Sequence, residues 1–194
     1  MGGKTSRTKL KLIEEARTLF GLKGKNNVTM NDIAEASQKG RRTLYTYFKN
    51  KEEVYKAVIQ NELTRILERL REVSQENTEA DIKLTQHIVT HLDAVKEAVS
   101  RNGSLRSDFF MDIYEVERVR RPIDKKEIEL IREILIEGVE QRVFKRMDVN
   151  LSAVIILYAI KGLEVPYIRQ NINSEFEKNK DSIVDFVLTG IKRS

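Results

Sequence analysis

The chain has 194 residues, 40% hydrophobic and 34% charged, with two prolines, nine glycines and no cysteine. That length buries one substantial core or two small ones, the apolar share is too high for a disordered chain, and so few turn-formers exclude a sandwich or barrel of many short strands. The lack of cysteine excludes a disulfide scaffold, a thiol nucleophile and any thiolate metal site. The N-terminal stretch carries no apolar segment ahead of a small-residue cleavage site, and the longest strongly apolar run, Ala153 to Ile160, is far short of the roughly 20 residues that cross a bilayer. A soluble, cytoplasmic, all-α protein with no membrane partner is the expectation.

The net charge of +5 is distributed unevenly. Residues 1–50 hold 11 Lys and Arg against 4 Asp and Glu, a balance of +7, whereas residues 51–194 hold 24 against 26, a balance of −2. A basic head on a near-neutral body is the electrostatic footprint of a polyanion-binding protein, because phosphate neutralisation supplies most non-specific nucleic-acid affinity. The bland alternative is a solvated basic face with no partner, and pattern has to decide between them.

Leu12, Ile13, Ala16, Leu19 and Phe20 recur at helical spacing and predict a first helix over residues 7–21, ending near Gly21 and Gly24. Thr29 stands three residues before Asp32, a capping-box spacing that starts a short second helix with Met30, Ile33, Ala34 and Ala36 facing inward. Ser37-Gln38-Lys39-Gly40 is a polar break, and Gly40 can cap a third helix from Arg41 to Phe48. Two short helices joined by so short a turn form a helix-turn-helix pattern. Asn50 with Glu53 repeats the capping device and opens a long fourth helix to about Val73. The polar stretch Ser74 to Ala80 follows and is the candidate domain boundary, although the long helix leading into it can couple the two parts.

Beyond it the pattern is helical throughout. A helix over about 79–100 carries Leu84, Ile88, Leu92, Val95 and Val99. Ser104 opens another that ends before Pro122, and Asp124 with Glu127 is read as capping the next, which runs to about Phe144. Asn150 is expected to start a helix from Leu151 to about Gln170 that is apolar nearly all round between Ala153 and Ile160. A last helix, capped by Ser174, covers about 175–192. A helix apolar on every side must be covered on every side, so a homodimer through the last two helices is expected, against the alternative of a central helix in a monomeric bundle.

The segment Val28-Thr29-Met30-Asn31-Asp32-Ile33-Ala34, followed after the turn by Thr43-Leu44-Tyr45-Thr46-Tyr47-Phe48 and Asn50-Lys51-Glu52-Glu53, resembles the DNA-binding head of the TetR family of bacterial transcriptional regulators. The resemblance covers about residues 7–60. It implies a three-helix helix-turn-helix head over residues 1–50, linked through helix 51–73 to a helical effector-binding and dimerisation body over residues 51–194, about nine helices in all. It also implies double-stranded DNA with a palindromic operator as partner, and release by a small molecule. Carried over residue by residue, Arg41 and Arg42 face base edges, where Arg is suited to guanine O6 and N7. Thr43, Tyr45, Tyr47 and Lys51 face phosphates, Thr29 a phosphate and Asn31 a base, while Leu44, Phe48, Ile33, Ala34 and Phe20 form the core of the head. Where the family carries Gly-Val in the turn this chain has Gln38-Lys39, and where it carries Ser followed two residues later by Gly this chain has Gly40 and Arg42. A non-glycine residue must then adopt the turn's backbone geometry, and Lys39 and Arg42 add charge where phosphates and bases lie.

In the body, Leu92, Val95, Phe109, Phe110, Met111 and Tyr114 form a candidate ligand lining suited to an apolar or aromatic molecule. His87 and His91, four apart, share a helix face, but the segment lacks the Glu of the zinc-protease pattern, so two neutral surface or pocket-wall histidines are expected rather than a metal site, and no cofactor is called for. Glu164 is an acid in apolar company, a buried contact, a ligand anchor or exposed at a kink imposed by Pro166. With no Gly-rich phosphate loop and no supported catalytic triad, an enzyme has little basis. The leading reading is a homodimeric ligand-released repressor. The competing one is a DNA-bound scaffold controlled by a protein partner.

Overall fold

The computed structural model describes residues 6–101, 113–169 and 180–193. Eight α-helices are present among them: α1 (Arg7–Lys23), α2 (Met30–Ala36), α3 (Arg41–Tyr47), α4 (Lys51–Ser74), α5 (Ala80–Arg101), α6 (Ile113–Glu140), α7 (Val149–Arg169) and α8 (Lys180–Ile191), with one 3-10 turn at Lys25–Asn27. No strand occurs among the described residues, only an isolated bridge between Phe144 and Lys192. None of these helices is long and apolar enough to cross a membrane. The chain divides into two compact units, one drawn from Met1–Leu63 and Ala98–Arg120, the other from Thr64–Glu97 and Arg121–Ser194.

In the first unit the apolar stripe of α1 (Leu12, Ile13, Ala16, Phe20) is buried, with Val28, Ile33, Ala34, Leu44, Phe48, Val54 and Val58. Phe20 meets Tyr55 edge-on at 5.9 Å. Arg17 binds Glu14 at 2.7 Å and approaches Glu62 at 3.6 Å, and Glu62 also takes Arg101 at 3.2 Å, so ion pairs connect α1, α4 and the last residue of α5. In the second unit Leu84, Ile88 and Leu92 of α5, Ile131, Ile134 and Leu135 of α6, Ala153, Ile156, Leu157 and Ile160 of α7, and Val184 of α8 form one buried cluster.

Several helix ends differ from expectation. No helix ends at Pro122; α6 runs through it to Glu140. Proline removes one backbone hydrogen bond, a loss outweighed here because Ile123, Asp124 and Glu127 immediately after it are anchored in the interior. Asp124 and Glu127 therefore cap nothing, and both carboxylates are spent on partners in other helices. Helix α7 starts at Val149, two residues earlier than expected: Asp148, not Asn150, is its cap, its Oδ1 accepting from the backbone N–H of Asn150 and Leu151. It also continues through Pro166 to Arg169. The helix expected from Ser104 and the Ser174 cap lie largely outside the described residues.

Helix α6 stops short of Phe144 for a physical reason. Arg142 adopts φ 63, and the N–H groups of Arg142 and Val143 reach back to the carbonyls of Val139 and Gly138 at 3.2 and 2.9 Å. This is a Schellman closure with arginine where glycine is usual. The reversal seats the buried Phe144 ring directly on Gly138, where a Cβ would fall inside the ring atoms. Gly138→Ala is expected to lower the unfolding free energy by about 1–3 kcal/mol through overpacking. Urea denaturation of Gly138→Ala and of Gly138→Ala with Phe144→Leu checks this, the second change restoring most of the loss.

Candidate functional site

Local chemistry fixes the geometry of the head. Asp32 N–H donates to Thr29 Oγ1 at 3.2 Å, and the Thr29 N–H and hydroxyl both donate to Asp32 Oδ2 at 2.7 Å, a complete capping box. These bonds hold the Asp32 carboxyl below the usual carboxylate range. They also commit the Thr29 hydroxyl proton to Asp32. Helix α2 closes with Gln38 at φ 54, its N–H on the Glu35 carbonyl at 2.9 Å and the Lys39 N–H on the Ala34 carbonyl at 3.0 Å. The turn is again a Schellman closure, with Gln38 in the left-handed position. Gly40 caps α3 as expected, and Asn50 Oδ1 accepts from Glu53 N–H at 2.9 Å to start α4.

This frame buries Leu44 and Phe48 and leaves Thr29, Asn31, Arg41, Arg42 and Tyr45 exposed, with Lys39, Thr43, Tyr47 and Lys51 half-buried. Their side chains are not equally available. Asn31 Nδ2 donates to Glu35 at 2.8 Å. Ser6 Oγ donates to Tyr47 Oη at 3.1 Å, which leaves the phenolic proton of Tyr47 to donate elsewhere. Lys51 Nζ donates to the carbonyls of Lys25 at 2.8 Å and Asn26 at 3.4 Å, a structural task the sequence did not announce. Lys25 in turn lies 4.1 Å from the Tyr55 ring and 2.7 Å from Glu52. By contrast, among the described residues Lys39, Arg41 and Arg42 have no acidic partner. Three uncommitted cations thus stand at the turn and the first turn of α3.

The second unit holds a different arrangement. His87 and His91 are not surface residues: both are buried, as are Glu127 of α6 and Glu164 of α7. Glu127 Oε1 lies 2.6 Å from His91 Nδ1 and 3.3 Å from His87 Nε2, and Glu164 Oε1 lies 2.8 Å from His91 Nε2. Burial alone would push His91 down, but the two carboxylates more than reverse it and its pKa rises to about 9. His91 is therefore an imidazolium at neutral pH, contrary to the expectation of a neutral ring. Burial would push Glu127 up, and the two imidazoles hold it well below the carboxylate range instead. Glu164 is thereby a buried polar contact. One turn away Lys161 Nζ binds the buried Asp124 at 2.6 Å. With both nitrogens bonded to carboxylates His91 has no lone pair for a metal, and no group of three or more His, Cys, Asp or Glu among the described residues is placed to hold one. Of the candidate ligand lining, Leu92 and Val95 are buried; Phe109, Phe110 and Met111 lie outside the described residues, as does the side chain of Tyr114.

The family model described as bacterial regulatory proteins, tetR family, matches residues 12–58, the segment that builds this head. The helix-turn-helix head is thus similar to that of the TetR family. Relatives of the chain include a protein described as a probable acrEF/envCD operon repressor of Escherichia coli, 23% identical over 94% of this chain and 86% of that one. The fold is shared with a regulator of the TetR/AcrR family from Thermobifida fusca, at a TM-score of 0.73 and 21% identity over 97% of this chain and all of that one. It is shared too with the regulator FadR of Bacillus subtilis, solved in complex with stearoyl-CoA, at a TM-score of 0.69 and 21% identity over 94% and 98% of the two chains.

Gln38 and the buried centre yield separate predictions. Gln38→Gly is expected to raise stability by about 1 kcal/mol, since a left-handed residue with a Cβ costs roughly 1–2 kcal/mol; thermal unfolding of the two proteins measures it. For the centre, the raised pKa of His91 contributes stability that is complete below about pH 6.5 and is lost as pH rises through about 9. The lowered pKa of Glu127 contributes stability present above about pH 4.5 and lost on acidification. Denaturation curves from pH 5 to about 10 are expected to show stability declining across the alkaline limb, and His91→Gln to flatten that limb.

Proposed function

We propose that this chain is a homodimeric transcriptional repressor that binds a palindromic operator through α3 and leaves it when a small apolar ligand enters its second unit. The observation that carries the DNA-binding part is the group of uncommitted cations at Lys39, Arg41 and Arg42, at the turn and first helical turn of a capped helix-turn-helix. Arg41 and Arg42, in the first turn of α3, are assigned to base edges, and Lys39 to a phosphate. Tyr45 and Tyr47 are assigned to phosphates through their hydroxyls, and Thr43 likewise. Lys51 supports the interface by fixing the Lys25–Asn27 turn and faces a phosphate only with the donor capacity it has left. Thr29 acts through its capping box and Asn31 through the acceptor oxygen that its bond to Glu35 leaves free.

The dimer is supported by the outer faces of α7 and α8. Leu151, Ile155 and Tyr158 are each more than half exposed and Phe186 is 84% exposed, while Ile156, Leu157, Ile160 and Val184 of the same helices are buried. Large apolar side chains in such number are covered most simply by a second copy, and two-fold symmetry matches a palindrome whose half-sites are about 34–36 Å apart. A small apolar ligand is supported by the buried side chains of Leu92 and Val95, and by the stearoyl-CoA seen in the structurally similar FadR.

Selection of duplexes from a random pool at about 150 mM salt, where phosphate attraction is weakened, is expected to enrich a two-fold palindrome; no enrichment with strong low-salt binding would sink the operator reading. On the selected duplex, Arg42→Ala is expected to cost about 1–3 kcal/mol and to relax sequence preference. Lys39→Ala is expected to weaken all duplexes alike and lower the salt slope by about one. Ile155→Glu with Phe186→Glu is expected to give a folded monomer by sedimentation, with operator affinity lost.

A further inference from the structure

The buried centre of the second unit has three N–H donors, and all three are spent. His91 donates from both nitrogens, to Glu127 and to Glu164, and His87 Nε2 faces the same Glu127 oxygen at 3.3 Å. Glu127 Oε1 is the acceptor in reach of Nε2 and none is in reach of Nδ1, so the ring proton belongs on Nε2, a buried N–H without an acceptor being the costlier arrangement. That leaves His87 Nδ1 with a lone pair, and this atom is buried without a hydrogen-bond partner. An acceptor left unmet in the interior is unfavourable. The open valence of the centre is therefore an acceptor.

Resting on the reading of a ligand-released repressor, we propose that His87 anchors the polar end of the ligand, and that this end is a hydrogen-bond donor, a hydroxyl or an amine, on an otherwise apolar molecule. The donor requirement comes from Nδ1. An ionised carboxylate has only acceptors to offer, and it would bring a further negative charge to a centre that already holds Glu127 and Glu164. The apolar body is called for by the same helix. Val95 lies one turn beyond His91 on its face of α5, with Leu92 beside it, and both are buried. His91 acts as a positioning residue: by binding Glu127 it holds that carboxylate ionised and so fixes the tautomer in which His87 presents its lone pair.

The test uses the full-length protein and three probes with one apolar body, decan-1-ol, decylamine and decanoate, each below its micelle concentration, with binding read by calorimetry and thermal shift at neutral pH. The alcohol or the amine is expected to bind at least about tenfold more tightly than decanoate, the preference that one satisfied buried acceptor provides. His87→Phe, which keeps a ring and removes the acceptor nitrogen, is expected to abolish that preference. Imidazole nitrogen NMR of the unmodified protein gives a second readout that needs no variant: the Nδ1 resonance of His87 is expected to move toward the protonated value on binding. Decanoate binding as tightly as the alcohol and the amine, no binding of any probe, or binding with the His87 resonance unmoved each overturns the proposal. Operator release is measured separately by fluorescence anisotropy. Decanol binding at His87 without release leaves this assignment standing and overturns the ligand-released reading, whereas release by decanoate alone does the reverse.

Discussion

His91 stands between two carboxylates from two other helices, and the second unit is organised around that arrangement. Removing one imidazolium and two carboxylates from water costs several kcal/mol per ion, repaid only when geometry is close and each proton has an acceptor. Both conditions hold: the contacts to Glu127 and Glu164 are 2.6 and 2.8 Å. An apolar trio of similar volume would serve stability as well or better, so stability alone does not account for the centre. What the ion triad provides and an apolar core does not is a fixed register among α5, α6 and α7, and a defined proton arrangement at a buried point. One nitrogen of that point, on His87, is left without a partner.

The first unit follows a different economy of charge. Its basic residues fall into those that hold the fold and those that do not. Arg17 and Arg101 meet at Glu62, Lys25 lies between Glu52 and the Tyr55 ring, and Lys51 closes the Lys25–Asn27 turn. Each is neutralised or hydrogen-bonded within the unit. Lys39, Arg41 and Arg42 flank Gly40 and have no acidic partner among the described residues. A field focused at one helix start discriminates among duplex grooves in a way that a diffuse basic surface cannot.

How much of this was legible in the sequence depends on the range of the interaction. The Thr29–Asp32 box, the Asn50–Glu53 cap and the Gly40 cap are local, set by residues three apart, and each was readable before any coordinates. Asp124 and Glu127 show the limit. Their spacing mimics a capping box, yet their partners are Lys161 and His91, 37 and 36 residues away in the chain, and no local pattern distinguishes a cap from a buried ion pair. The two Schellman closures were hidden for another reason. Glycine is the signal for a left-handed helix end, and Gln38 and Arg142 occupy that position without it. At Gln38 the missing glycine was itself visible against the family pattern, whereas at Arg142 only the packing of Phe144 on Gly138 reveals why the chain turns. Within the head, exposure of the candidate contacts was foreseeable. The engagement of Lys51, Tyr47 and Asn31 was not, because it depends on side chains brought near by the fold.

Helix α7 draws the body's roles together. Ile156, Leu157 and Ile160 bind it into the core, Glu164 carries it to His91, and Leu151, Ile155 and Tyr158 leave its outer face exposed. At 1.5 Å per residue its 21 residues span about 31 Å, and packed helices shift as units rather than deform continuously. A ligand that changes the hydrogen bonds of the buried centre acts on one end of this rod, and the face proposed to pair two copies lies toward the other. Any tilt of α7 within its own unit is then magnified along its length. The buried centre and the exposed apolar face of the second unit are thus carried by one helix.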